Sequence, residues 1–135
     1  MPGPRDPFEY AVLRVVPDAD RGESFNAGVI VHSRPRRFLA ASVALDEPRL
    51  AVLAPGCDPG PIRERLAAIE RVAAGDPGAG PIAHLTAPER FHWLVSPSST
   101  VVQPSPVHTG LTDDPAAELD RLFRRLVVPP THGST

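Results

Sequence analysis

The chain has no lysine; all 14 of its basic residues are arginine. It has one cysteine, one tryptophan and one tyrosine. A lone cysteine excludes an internal disulfide, and Cys57 lacks the Cys and His company that a zinc site needs at the usual spacing. It sits in the turn Pro55-Gly56-Cys57-Asp58-Pro59 with no basic residue close in sequence, which argues against a nucleophile. No apolar run approaches the roughly 18 residues of a membrane-spanning helix. The N-terminus lacks the basic-then-apolar order of a signal peptide, so a cytoplasmic location is expected. The formal charge of −2 supplies no general attraction to nucleic acid or anionic lipid. Arg34, Arg36 and Arg37 are the local exception, read as a solvated turn. The missing lysine, with abundant Ala, Pro, Gly and Val, is the composition of a GC-rich bacterial gene.

What is present points to one domain. A chain of 135 residues buries roughly two-thirds of its unfolded surface, so an ordinary core suffices. Many of the 18 prolines and 10 glycines fall at segment ends and act as punctuation. The domain is expected over 8–128, with 1–7 and 129–135 as flexible termini. Residues 8–16 alternate, with Tyr10, Val12 and Arg14 on one face and Ala11, Leu13 and Val15 on the other, which predicts a strand. Strands over about 25–32 and 37–45 complete an antiparallel meander. Asp46 caps a short helix that ends at Leu53. Residues 61–74 predict a longer helix, with Ile62, Leu66, Ile69, Val72 and Ala73 at helical spacing and Gly75 as its stop. A loop follows over 75–81. Phe91–Val95 and Thr100–Gln103 are expected as the fourth and fifth strands, joined by a turn at 96–99. Asp114 caps the last helix and Pro115 takes its first position. Leu119, Leu122, Phe123, Leu126 and Val127 form one apolar stripe along it. The predicted class is α+β: a mostly antiparallel sheet of about five strands with two main helices packed on one face.

Two polar constellations stand out. The first, Arg21-Gly22-Glu23-Ser24-Phe25-Asn26-Ala27-Gly28-Val29, lies at the tip joining the first two strands and holds the only Asn. The second runs from Glu89 through Arg90, His92, Trp93, Ser98, Ser99, Thr100 and Gln103 to His108, Thr109 and Gly110. It holds the only Trp and the only Gln. Polar groups set between core-forming segments are costly unless satisfied or used. The residues selected as a candidate polar cluster are Arg21, Glu23, Asn26, Arg90, Trp93, Ser99, Thr100, His108 and Thr109. Glu23 or Asn26 is expected within hydrogen-bond reach of the second stretch. A Ser or Thr nucleophile needs a base oriented by a third group, which Glu23 and His108 supply on paper. No G-x-S-x-G, H-E-x-x-H or Walker sequence is present, and no metal or cofactor is expected. Pro104 and Pro106 cannot donate to a ladder. Val101–Thr109 is therefore expected at a sheet edge, with Val107 and His108 outward beside the Arg21–Gly28 turn.

Strand 10–16, then Arg21-Gly22-Glu23-x-x-Asn26-x-Gly28-Val29, Arg90-Phe91-x-Trp93-Leu94, Ser99-Thr100 and Ser105-Pro106-Val107-His108-x-Gly110, resembles a bacterial family, domain of unknown function 3037. The resemblance spans about residues 8–127. Ser98 departs from the Arg that members often carry, which counts against an anion-binding role there. The resemblance implies no activity or catalytic residue. It implies genomic company, since members often sit beside genes for Hip-type, HipA-like kinases. The preferred reading is a non-enzymatic cytoplasmic binding module, an accessory or antitoxin-like partner of such a kinase. The alternative is a small hydrolase or nuclease using Glu23, Asn26, Ser99 and His108.

Overall fold

A computed structural model describes residues 3–129. Three antiparallel strands, β1 (Asp6–Val15), β2 (Phe25–Ser33) and β3 (Phe38–Val43), form the expected meander. β1 begins earlier than the alternating apolar pattern, since Asp6 and Pro7 pair with Thr112 and Leu111. Arg36 also donates to the Asp6 carboxylate at 2.6 Å and to the Pro4 carbonyl at 2.7 Å. Of the expected flexible termini, 1–2 and 130–135 lie outside the described residues.

α1 (Glu47–Leu53) and α2 (Pro59–Ala73) follow. Asp46 caps α1 by accepting from the Arg49 amide, as expected. α2 starts two residues before the predicted span because Asp58 caps it and Pro59 takes the first turn. The predicted loop 75–81 holds one short 3-10 turn, Pro77–Ala79, and a second, Pro81–His84, begins at its last residue.

The predicted fourth strand is instead a helix, α3 (Ala87–Leu94). Its start is a capping box: the Thr86 hydroxyl accepts from the Glu89 amide, and the Glu89 carboxylate accepts from the Thr86 amide. Phe91 and Leu94, three apart, then turn to the core. A strand of Phe91–Val95 would leave Thr86 and Glu89 without this reciprocal pairing. The predicted fifth strand is β4 (Val102–Pro104), which starts two residues later than expected and ends one later. A further strand, β5 (His108–Thr112), keeps the total at five. α4 (Pro115–Leu126) has its expected cap, Asp114 accepting from the Ala117 amide.

The sheet order is β3-β2-β1, with β4 on the second half of β1 and β5 on the first. Val101–Thr109 is thus an edge, as the prolines require. Ser105 bridges its two strands. Its amide donates to the Val12 carbonyl at 2.7 Å, and its hydroxyl accepts from the Val12 amide at 2.9 Å. The hydroxyl donates onward to the Pro106 carbonyl at 2.9 Å. A side chain thereby carries the ladder where Pro104 and Pro106 cannot donate.

The architecture is α+β with a mostly antiparallel five-stranded sheet, but its main helices cover opposite faces. Leu13, Val15, Phe25 and Ile30 bury one face against Leu50 of α1, Leu66 and Ile69 of α2, and Phe91 and Leu94 of α3. Phe8, Val29 and Val31 bury the other against Leu119 and Leu122 of α4. β2 has apolar side chains on both faces, and a strand of that kind needs cover on both. A β-bulge between Leu13 and Arg14 places Ala27 as an extra residue in β2. Phe25 before the bulge, Ala27 within it and Ile30 after it therefore share one face. Among the described residues no helix is long and apolar enough to cross a membrane.

Candidate functional site

The two polar constellations do not form one hydrogen-bonded cluster. Arg21 and Glu23 pair with each other at 2.5 Å in the exposed β1–β2 turn. Asn26 donates to the Leu126 carbonyl at 2.9 Å and ties β2 to the end of α4. Neither Glu23 nor Asn26 bonds to residues 90–109 among the described residues. Register does bring Asn26 and Gln103 to opposite sides of Arg14, one strand apart on the face that α4 covers in part. His108 pairs with Tyr10 and stacks on its ring at 5.0 Å. Tyr10 is five residues from Val15, the end of β1 beside the Arg21–Gly28 turn, so His108 lies about 16 Å from that end. The expected neighbourhood of His108 and that turn does not form.

Most of the second constellation holds the chain in place. The Arg90 guanidinium donates to the Leu85 carbonyl at 2.7 Å and the Ala73 carbonyl at 3.4 Å, closing the end of α2. The Thr100 hydroxyl donates to the Val102 carbonyl at 2.9 Å, and Ser98 and Thr100 share a hydrogen bond at 2.8 Å. Ser99 is exposed in the bend before β4, and Thr109 is exposed on β5 opposite Glu9.

Trp93 is different. It projects from α3 with 44% of its surface exposed. A groove of about 290 Å³ lies on one side, between Trp93, Arg65, Ile69, Leu94, the Ser96–Ser98 bend and edge strand β4. A smaller one of about 130 Å³ lies on the other, bounded by Arg65, Val72 and Ile82. Trp93 and Arg65 border both. The result is a trough with a mixed polar and apolar larger half, a mainly apolar smaller half and one cation, continuous with a sheet edge. It offers shape and apolar area, and no nucleophile held by a base.

A second concavity, of about 310 Å³, lies on the other side of α3. His32 and Phe91 line it with Glu9, Arg34, His92 and Val107. The His32 ring is buried and stacks on Phe91 at 4.8 Å. Its Nδ1 lies 3.2 Å from Glu9 Oε1, while Nε2 is covered and has no partner. A buried polar atom left unsatisfied costs about 1–3 kcal/mol. Sequence reasoning missed Glu9 and His32. The signal was a polar residue closing the apolar run Val29-Ile30-Val31, but its partner is visible only once the strand register is known. Among the described residues no three His, Cys, Asp or Glu side chains gather to hold a metal ion.

The sequence model of a family described as "Protein of unknown function (DUF3037)" matches residues 10–127. The chain belongs to this family. The DUF3037 match spans both constellations and the fold from β1 to the end of α4. In this DUF3037 member the residues that carry the resemblance are largely architectural. Asn26 anchors α4, Arg90 closes α2, and Ser105 carries the edge ladder. A side chain at Gly28 would meet Leu13, Ser42 and Val43 at 3.0 Å, and one at Gly110 would meet the Phe8 ring at 2.7 Å. Comparisons with curated proteins and with solved structures return no match.

Proposed function

We propose that this DUF3037 domain is a bacterial, cytoplasmic protein-recognition module without turnover of its own, and that Trp93 is its anchor. The observation that carries this reading is the half-exposed Trp93 set between two adjoining grooves that it borders together with Arg65. Trp and Arg dominate the residues whose removal weakens protein interfaces most, because each combines large contact area with a polar handle. The occupant is an extended segment of a partner protein. It places apolar side chains on either side of Trp93 and a carboxylate against Arg65. The trough runs onto β4, so the segment can continue along the open edge. Pro104 lacks an amide, which limits strand addition there and leaves side-chain pockets to select the partner.

The family resemblance names the first partner to try, a Hip-type (HipA-like) kinase encoded nearby. The hydrolase or nuclease alternative needs Glu23, Asn26, Ser99 and His108 to converge. Glu23 bonds Arg21, Asn26 bonds Leu126, and His108 stacks on Tyr10 well away from both. The test is calorimetry on the purified domain and kinase, with Trp93 emission recorded in parallel. Binding should shift the emission to the blue, and Trp93→Ala should weaken it at least tenfold, about 1.4 kcal/mol. No binding by the wild type at roughly 100 μM, about −5.5 kcal/mol, overturns the kinase assignment. Binding that leaves the emission unchanged and survives Trp93→Ala overturns the trough.

A further inference from the structure

The concavity over His32 is independent of the Trp93 trough and holds what the trough lacks, a buried ionisable side chain with an unused atom. His32 is the next-to-last residue of β2 and is 5% exposed. Its Nδ1 lies 3.2 Å from Glu9 Oε1, and in the tautomer whose Nδ1–H donates to that carboxylate the lone pair sits on Nε2. Phe91 stacks on the ring at 4.8 Å and holds its plane. Nε2 is covered and makes no hydrogen bond. A ring oriented on one side by a carboxylate and covered but unpartnered on the other has a lone pair to offer a proton-bearing group.

The surroundings define that group further. Arg34, at the rim, has no ion-pair partner among the described residues, and His92 stands on the same rim. Phe91, Val95 and Val107 supply an apolar wall. Glu9 is 45% exposed at its side chain, so its second oxygen remains available. The space, about 310 Å³, equals the liquid volume of about ten waters, enough for a six-carbon acid.

We propose that this concavity binds a small organic acid with a hydrogen-bond donor, an amine or a hydroxyl, on the carbon next to its carboxylate, and with a branched apolar tail. The carboxylate pairs with Arg34, with His92 beside it. The donor turns the rim side chains aside and gives its proton to His32 Nε2 as a hydrogen bond. Glu9 keeps the ring in the accepting tautomer, and an ammonium has a further proton for its second oxygen. The tail lies on Phe91 and Val95.

The experiment uses the full chain labelled with nitrogen-15, and reads the histidine ring nitrogens in a long-range proton–nitrogen spectrum. L-leucine, 2-hydroxy-4-methylpentanoate and 4-methylpentanoate are added separately to roughly 10 mM, enough to detect millimolar binding. Expected is a shift of His32 Nε2 toward the hydrogen-bonded range with leucine, the hydroxy acid or both, and none with 4-methylpentanoate, which lacks the donor. A response to leucine alone assigns the amino acid, and one to the hydroxy acid alone assigns the hydroxy acid. His32 is buried and its replacement endangers folding, so the exposed Arg34 is varied. Arg34→Ala should weaken binding at least tenfold while the unfolding midpoint stays unchanged. No Nε2 shift with any probe, equal shifts with all three, or full binding by Arg34→Ala overturns the proposal.

Discussion

Ser105 and Gly110 show how single residues maintain the β4–β5 edge. The Ser105 hydroxyl is the acceptor for the buried Val12 amide. Ser105→Ala removes it and leaves a donor that water does not reach. The expected loss is about 1–3 kcal/mol in urea unfolding. A change below about 0.5 kcal/mol, the usual range for surface substitutions, would show that the Val12 amide finds another partner. Gly110 works by what it lacks. Its missing side chain leaves room for the Phe8 ring, which packs in the α4-side core. Gly110→Ala places a methyl 2.7 Å from that ring and forces it to move. The expected cost is about 1–3 kcal/mol, with altered Phe8 ring shifts in the proton spectrum. Unchanged stability and ring shifts would mean that β5 swings away without cost. Both residues lie in the Ser105–Gly110 motif, whose role in this protein is to let a proline-interrupted strand stay attached to β1.

At the scale of elements, α3 shows what the sequence reveals and what it hides. The run Phe91-His92-Trp93-Leu94-Val95 is rich in strand-favouring aromatic and branched residues, which suggests a strand. The deciding signal is earlier, in Thr86-Ala87-Pro88-Glu89, a cap, a first-turn proline and a reciprocal acid. The same cap logic correctly placed α1 and α4 from Asp46 and Asp114. β5 was missed because His108-Thr109-Gly110-Leu111-Thr112 is half polar and becomes a strand only by pairing with β1. The His32 site was illegible for a different reason. Without the bulge at Ala27, the pairing of Val15 with Phe25 would set Glu9 opposite Val31. The bulge moves Glu9 opposite His32 and turns both toward α3. Nothing in the local sequence announces that shift. The α3 cap has a measurable consequence. Hydrogen bonds from the Thr86 hydroxyl and then the Thr86 amide hold the Glu89 carboxyl below the usual glutamate range. A lowered carboxyl contributes stability above the ordinary range, and that contribution is lost as pH falls through the folded value. Amide shifts of Thr86 and Glu89 should therefore change together below the usual glutamate range, with fraying of α3. Glu89→Gln should abolish the titration. A titrating cap in that variant would assign the effect to another acid.

The whole molecule is a sheet between two unequal layers. Among the described residues, the buried cluster on the α2 and α3 side draws on four of the five strands and three α-helices, whereas the α4 side rests on Phe8, Val29, Val31, Leu119, Leu122 and Val127. Each fully buried Leu or Val contributes roughly 1.5–3 kcal/mol, so the α4 layer is held by much the smaller sum. Among the described residues, its end is tied to the sheet by a side-chain hydrogen bond from Asn26 to the Leu126 carbonyl. This asymmetry predicts that α4 opens as a unit before the rest unfolds. In native-state hydrogen exchange the amides of α4 should share an opening free energy below that of α2 and of β1. Leu122→Ala should cost about 2–5 kcal/mol overall. Asn26→Ala should lower the opening free energy of α4 by about 1 kcal/mol, the net worth of a typical hydrogen bond, and leave that of α2 unchanged. Equal opening free energies for α2 and α4 would show that the two layers unfold together. The β-sheet would then couple them fully, and Asn26→Ala would lower both by the same amount. The separable outcome bears on recognition as well. The Trp93 trough and the His32 concavity both lie on the firmer layer, around α3, so each would keep its shape while α4 opens and closes on the opposite face.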